Sequence, residues 1–453
     1  MKKSGTRITY SPTDLARFME NEFITWMDRF YLEFPAEVVP DEKAEEMEIL
    51  IRRGFQHEET VLKGFNEATG GVFQVSQGDD RYQDTIQAMR AGHRVIYQAA
   101  LQRDVFAGYA DFLVRVERPS GLGNHSYEVC DAKLAHSAKP SFVIQLCCYA
   151  DLLEGIQGRR PNHLTVLLGN GSQARFRTDD FFFYYLTLKE AFLKQQCTFN
   201  LGTRPEPLGR GQNGRWETEA KEWLEREEHL RLVAGIATVQ IQRLNAVNVR
   251  TVKALAELDA PRIPKMLDST YEKLRSQARL QIQSRGLDRP AFELIPPDPA
   301  DPRKGLALLP PACGRDVVLD LEGFPLIEGG LEYLFGIVYS EGGELHFKDW
   351  WAHNPAEERI AFEGLMDWIC ERRSHDLKMH VYHYAPYETA ALCRLMGKYG
   401  SREQEIDDLL RHEVFIDLYR IVRQGVRIGT ERYSLKAIEC LYRGKRETEI
   451  TGG

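Results

Sequence analysis

Apolar residues recur at intervals of three and four along residues 11–69, and that spacing predicts helices for most of the stretch. Ser11, with Pro12 at the first helical position and Asp14 in the first turn, marks where the first helix opens. A further helix is predicted from about Tyr82 to Ala100. The period then changes to two. Residues 104–117 alternate as a strand does, 120–124 read as a turn, and 126–135 form a second strand, so a hairpin is predicted. A strongly apolar helix at 140–156, a strand at 163–170 and a helix at 179–197 follow, and the whole makes one mixed α/β domain over residues 1–200.

Residues 201–228, rich at first in Gly, Pro and Arg, read as a linker that runs into a charged helix. Residues 229–290 are short helices and turns, expected as a separate helical module. Between Gln240 and Arg289 there are ten Lys or Arg against five Asp or Glu, so this part is basic although the chain carries a net charge of -8. Such a surface can lie on a phosphate backbone, although composition alone favours solvated helix faces. The proline-dense stretch 291–315 predicts an extended linker. A last α/β domain, 316–453, opens on the apolar strand at 315–324. Strands at 331–340, 344–352 and 377–384, a helix around 357–373 and further helices complete it.

Composition narrows the class. A chain of 453 residues holds about three domains with cores of their own. With 43% hydrophobic and 28% charged residues it is neither fibrous, nor a disulfide framework, nor wholly disordered. The eight cysteines include no CxxC pair, so no zinc site is indicated. No uncharged apolar run approaches the roughly 18 residues of a membrane span, and the basic start lacks an apolar signal segment. A cytoplasmic protein with no membrane partner is expected.

Phosphodiester cleavage calls for a metal that polarises the phosphate, an activated water, and a cation for the charge that develops. Asp111, Asp131 and Lys133 match that need. Two carboxylates on adjacent antiparallel strands hold one Mg²⁺ or Mn²⁺, and Lys133, two residues after Asp131, points to the same face, where it orients or deprotonates the water. Asp-x-Lys alone is weak, since it recurs at Asp41/Lys43 and Asp376/Lys378. Its surroundings carry the argument. A helix with His57 and Glu58 precedes, and Gln145 and Tyr149, four apart, share one face of the helix that follows. Taken singly, His57 suits a helix histidine, Lys133 a surface charge and Tyr149 a core position; the ordered set points to a site.

That set, Gly54…His57, Gly108…Asp111, Glu128-x-x-Asp131-x-Lys133 and Gln145…Tyr149, resembles the RecB-like branch of the PD-(D/E)XK nucleases, and residues 10–18 resemble that family's first helix. The resemblance implies a restriction-endonuclease-like α/β core. It implies metal ligation by His57, Asp111, Asp131 and the backbone carbonyl of Ala132, a water-activating role for Lys133, and substrate contact or support of the site by Gln145 and Tyr149. Many RecB-like relatives also carry an iron–sulfur cluster on one cysteine of the first helix and three beyond the core. Neither the position near Asn21 nor the segment 208–223 has a cysteine, so no cluster is predicted.

Asp320 and Glu322 share one face at the end of an apolar strand, a pair that two-metal exonucleases combine with carboxylates from later helices. The region resembles RNase H-like exonucleases of the DEDD type, in particular the YprB-like domain that often shares a chain with a RecB-like module. That family's second motif ends in an aromatic followed by Asp; here Tyr387 is followed by Glu388, which keeps the carboxylate. Asp417 suits a helix N-cap better than catalysis. The last carboxylate motif is expected after 433–453, where the sequence stops, so this domain reads as incomplete. Residues 232–258 resemble a helix-hairpin-helix module, whose backbone amides contact phosphates without reading sequence. Relatives of this arrangement continue into a superfamily 1 helicase. No G-x-x-x-x-G-K-[ST] loop occurs here, so such a helicase is expected as a partner in cis or in trans.

The reading is an α/β multidomain protein with a PD-(D/E)XK core, a helical linker module and an RNase H-like domain. Its expected function is divalent-metal-dependent hydrolysis of DNA, of exonuclease type, in repair, recombination or defence. The main site is His57, Asp111, Asp131 and Lys133; the second metal site is Asp320, Glu322 and Glu388. The competing reading is a catalytically weak module that positions single-stranded DNA or duplex ends for a helicase. Lys133 beside both Asp residues disfavours it for the first domain, and the early stop favours it for the last. RNA stays open as substrate, because nothing in the sequence reads a 2′-hydroxyl.

Overall fold

The computed structural model describes residues 1–42, 45–327 and 329–443, and the chain divides into two compact units, Met1–Trp223 and Leu224–Gly453. The first unit opens with a hairpin of β1 (Lys2–Ser4) and β2 (Arg7–Thr9), followed by α1 (Pro12–Glu20), α2 (Glu22–Glu33) and α3 (Glu45–Thr69). Ser11 caps α1 as expected. Its hydroxyl accepts from Asp14 N at 3.2 Å and Asp14 Oδ2 accepts from Ser11 N at 2.8 Å, so two donors at the helix start are satisfied reciprocally.

After β3 (Phe73–Gln74) and α4 (Arg81–Ala91), the strands β4 (Val95–Arg103), β5 (Phe106–Val116) and β6 (Ser126–Lys133) form an antiparallel meander. The helix expected from 82 to 100 thus stops early. Gly92 takes a left-handed cap at φ 74°, and the β-branched and aromatic residues Val95, Ile96 and Tyr97 enter the sheet, where pairing with β5 outweighs helical spacing. The helix α5 (Pro140–Gln157) crosses over to β7 (His163–Leu168), which lies parallel to β6; β8 (Gln173–Arg177) turns back and α6 (Thr178–Cys197) follows. The sheet runs β3-β4-β5-β6-β7-β8.

Neighbouring residues of a strand face opposite sides, and both sides are used. Leu113 and Val129 join Leu15, Phe18, Leu146 and Phe192 in the larger core, while Phe112 and Cys130 meet Val61, Leu62 and Phe65 of α3. The Gly- and Arg-rich stretch before α7 (Glu217–Arg226) is built into this unit. Trp216 packs with Phe23, Trp26 and Met27, and Asn21 Nδ2 donates to Asn213 Oδ1 at 3.1 Å and to Gln212 O at 2.9 Å. The two cysteine-free segments compared above are therefore joined by hydrogen bonds.

In the second unit α8 (Thr238–Asn245), α9 (Val252–Glu257) and α10 (Asp268–Gln283) share a core of Leu230, Ile241, Leu244, Leu255, Tyr271 and Leu274. The short strand β9 (Phe292–Leu294) follows. Then β10 (Val317–Phe324), β11 (Leu331–Glu341) and β12 (Glu344–Trp351) make an antiparallel meander covered by α11 (Pro355–Ser374). Beyond it come β13 (Val381–His383), parallel to β10, α12 (Tyr387–Tyr399), α13 (Glu403–Arg411), β14 (Phe415–Asp417) and α14 (Leu418–Gly425). The chain continues into β15 (Val426–Ile428), which pairs with β9, and α15 (Leu435–Glu439). This sheet runs β12-β11-β10-β13-β14. Gln277 of α10 donates to Ile428 O at 2.7 Å, so the helical segment and the sheet domain are tied within one unit. Residues from 444 onward, the end of the stretch after which the last carboxylate motif is expected, lie outside the described residues.

Candidate functional site

Strands β5 and β6 pair in register up to Phe112 and Cys130, and the next pair would set Asp111 against Asp131; there the ladder stops. Like charges directly opposite are unfavourable, and Asp111 Oδ2 instead accepts from Ala132 N at 2.9 Å. On the other flank Gln98 drops out of the pairing between β4 and β5, with φ 55°, a left-handed conformation that costs a residue bearing a side chain. Gln98 Nε2 donates to Glu58 Oε1 at 2.5 Å.

Asp131 is 2% exposed. Its Oδ2 has no aligned hydrogen-bond donor; Lys133 Nζ faces it as a charge at 2.6 Å, which meets the period-two expectation. Burial, then the negative charge of Asp131, then Glu58 hold the Asp111 carboxyl well above the usual carboxylate range. Burial works against the Lys133 ammonium, but Asp131, Asp111 and Glu58 outweigh it and raise its pKa. Lys133 is thereby held as a cation.

His57 Nε2 hydrogen-bonds Leu167 O at 3.2 Å, and Leu167 pairs with Ala132 in the sheet. Glu58, next to His57 on α3, is the residue whose charge reaches Asp111. Sequence reasoning passed over Glu58 as a site residue although it sits beside His57; the signal was a further carboxylate on the same helix. Tyr149 Oη donates to Tyr109 O at 2.6 Å, and Gln145 lies beside the Tyr149 hydroxyl. A Cβ on Gly108 would stand 2.8 Å from Pro12 Cδ and 3.1 Å from Tyr149 Cε1, so glycine is what lets α1 and α5 close on β5. Tyr149 therefore braces the strand that carries Asp111.

In the second unit Asp320 and Glu322 stand near the end of β10, where the register shifts between Glu322 and Gly323. Burial and then the charge of Glu388 raise the pKa of Asp320; burial and then Asp320, Glu332 and Glu388 raise that of Glu322. The three expected acids are thus assembled, with Glu332 of β11 as a fourth. Glu332 is already engaged, accepting from Tyr387 Oη at 2.8 Å and pairing with Arg394. No motif marks it, because it enters from a neighbouring strand. A side chain at Gly323 would collide with the Tyr387 hydroxyl and the Glu332 carboxylate. Glu388 is 5% exposed and its Oε2 makes no hydrogen bond, with His383 Nδ1 3.4 Å away and itself bonded to Ala385 O at 2.6 Å. Asp417 caps α14 as expected, accepting from Tyr419 N at 2.9 Å, and also takes Ala385 N at 3.0 Å, which fixes the turn ahead of Glu388.

Among the described residues no group of three His, Cys, Asp or Glu stands ready-formed around a metal position. The residues nevertheless fit a hard divalent cation. Each site has a buried carboxylate oxygen without an aligned hydrogen bond, Asp131 Oδ2, which meets Lys133 as a charge, and Glu388 Oε2, and neighbouring acids raise the pKa of Asp111 in the one and of Asp320 and Glu322 in the other; oxygen ligands with waters are what Mg²⁺ and Mn²⁺ take.

A family model described as RNase_H_2, of the RNase H superfamily, matches residues 317–453, the stretch that holds Asp320, Glu322 and Glu388. The C-terminal part of the second unit is an RNase H superfamily domain. No curated protein matches the chain. Among the described residues no helix is long and apolar enough to cross a membrane.

Proposed function

We propose that this protein is a divalent-metal-dependent nuclease that hydrolyses DNA phosphodiester bonds as an exonuclease, in repair, recombination or defence. The observation that carries the reading is the acid cluster of Asp320, Glu322 and Glu388, with an unbonded buried oxygen, inside an RNase H superfamily domain. A second centre, of PD-(D/E)XK type, is proposed at Asp111, Asp131 and Lys133. Its support is that meander, crossover helix and parallel strand bring two carboxylates and a lysine to one point.

Mg²⁺ or Mn²⁺ would be held by Asp111, Asp131 and the Ala132 carbonyl in the first unit, and by Asp320, Glu322 and Glu388 in the second. Such an ion, when bound, makes a water acidic and polarises a phosphoryl oxygen. The protein's own groups do the rest. Lys133, held protonated, offsets negative charge growing on the phosphate, which is worth most in a partly dry site. Asp131 positions Lys133, Glu58 adds negative charge beside Asp111, and His383 orients Glu388.

The test is cleavage of end-labelled single- and double-stranded DNA with Mn²⁺ or Mg²⁺ against EDTA, for the wild type, Lys133→Ala and Asp320→Ala. Metal-dependent cleavage lost in either variant supports the reading and assigns the site. Absence of cleavage on every substrate, with DNA still bound, overturns it in favour of a module that positions DNA for a helicase.

A further inference from the structure

Four cations from separate stretches of the second unit converge away from the acids: Lys273 of α10, Lys304 beside the turn Gly305–Leu308, Arg423 in the last turn of α14, and Arg427 of β15. Three contacts fix the arrangement. Gly305 N donates to Gln424 Oε1 at 3.0 Å, which seats Lys304 beside Arg423. Arg427 Nη1 donates to Ser276 Oγ at 2.8 Å, and Ser276 lies one helical turn from Lys273. The turn carrying Gly235, at φ 77°, closes on Arg423, whose Nη2 would stand 3.7 Å from a Cβ there.

Counter-charge at this place is thin. Arg427 also meets Glu293 Oε2 at 2.8 Å, and Arg423 Nη1 reaches only the Tyr419 hydroxyl, at 3.3 Å. The Tyr433 hydroxyl faces both arginines and is engaged with Gln277 at 3.0 Å. Among the described residues Lys273, Lys304 and Arg423 form no ion pair with a carboxylate. Burial first, and then Arg423, Arg427 and Lys304, lower the pKa of Lys273. Lys273, Lys304 and Arg423 are exposed, so the four cations present their positive charge to solvent, where an arriving anion can answer it.

We propose that Lys273, Lys304, Arg423 and Arg427 form a phosphate-binding site that grips the backbone of a nucleic-acid strand apart from the acids that would cleave it. The identity of the anion rests on the nuclease reading above; the site itself rests on the four cations. The helix α14 connects the two places. Its cap Asp417 fixes the turn ahead of Glu388, and Arg423 lies six residues on, roughly 9 Å of helix rise away. A strand held at one end of α14 is delivered to the acids near the other.

The experiment is binding of a short fluorescein-labelled single-stranded DNA to the full chain in EDTA, over a range of salt, for the wild type and the double variant Lys273→Gln, Arg423→Gln. Affinity is expected to fall about tenfold near 0.1 M salt, and the slope of log affinity against log salt to flatten by roughly 1.4, as two phosphate contacts are lost. Relief of repulsion should leave the thermal midpoint equal or higher. Unchanged affinity and slope would overturn the site. Lys304→Gln, on an exposed turn, gives the same test on a smaller scale should the double variant fold poorly. Cleavage with Mn²⁺ in parallel separates the two ideas. A cleaving wild type with unaltered variant binding sinks only the phosphate site; a wild type that never cleaves, with weakened variant binding, sinks only the nuclease reading.

Discussion

The first unit sets two carboxylates against each other and answers them with a lysine 2.6 Å from one of them, whereas in the second unit Asp320 and Glu322 face further acids. There His383 lies 3.4 Å from Glu388, and Arg394 pairs with Glu332. On the proposed reading, the two places would divide the work of a phosphodiester site differently: the first would bring its own charge stabiliser and use a metal for water and phosphate polarisation, and the second, which concentrates negative charge, would rely on bound cations for all of it.

That contrast can be broken most sharply by removing the built-in cation. Lys133→Ala should lower cleavage by the first centre by about 10³-fold while Asp320→Ala leaves that centre intact, measured as metal-dependent release of end label in a background lacking the other site. Metal binding sharpens it next. Glu388→Gln, which replaces the unbonded oxygen of the second site, should weaken Mn²⁺ binding by about tenfold in calorimetric titration, and Lys133→Ala should not weaken it. In the first unit affinity for Mn²⁺ should rise with pH, because the proton that Asp111 retains must leave first.

Stability tests the same contrast with smaller effects. The Asp111 pKa is raised above its unfolded value, so its contribution is fully present below about pH 4 and is lost as pH rises through the raised value. In EDTA, Asp111→Asn should therefore raise the thermal midpoint at pH 8 by a few degrees and bring almost no gain near pH 4. Smallest is the cap that serves the second site. Asp417→Ala should cost about 1 kcal/mol in denaturant unfolding, and if metal binding falls as well, the turn at Ala385 is shown to position Glu388.

Much of the fold was legible from spacing. Ser11, Pro12 and Asp14 announced α1, alternation announced β5 and β6, and apolar runs announced α5 and β10, because caps and periodicity are local properties. The stretch 95–100 misled because its apolar spacing also suits a helix, and only its place between β3 and β5 makes it a strand. The site was legible in part. Asp111, Asp131 and Lys133 stood out as a set, and Asp320, Glu322 and Glu388 likewise. Glu58 and Glu332 did not, since their relevance depends on how α3 and β11 are laid against other strands.

The sequence by itself determined which residue types sit on which element: paired acids at strand ends, a lysine two residues on, a Gly where β5 must be approached, and caps such as Ser11 before α1 and Asp417 before α14. Those follow from periods of 2 and 3.6 and from backbone chemistry within a few residues. The tertiary structure alone decided that His57 turns to Leu167 while Glu58 faces Asp111, that Asn21 meets Asn213, that Glu332 joins the acids, and that four cations meet around α14. Each of these is a contact between residues far apart in the chain, set by how faces pack and by which charges burial then forces together, and no local spacing encodes it.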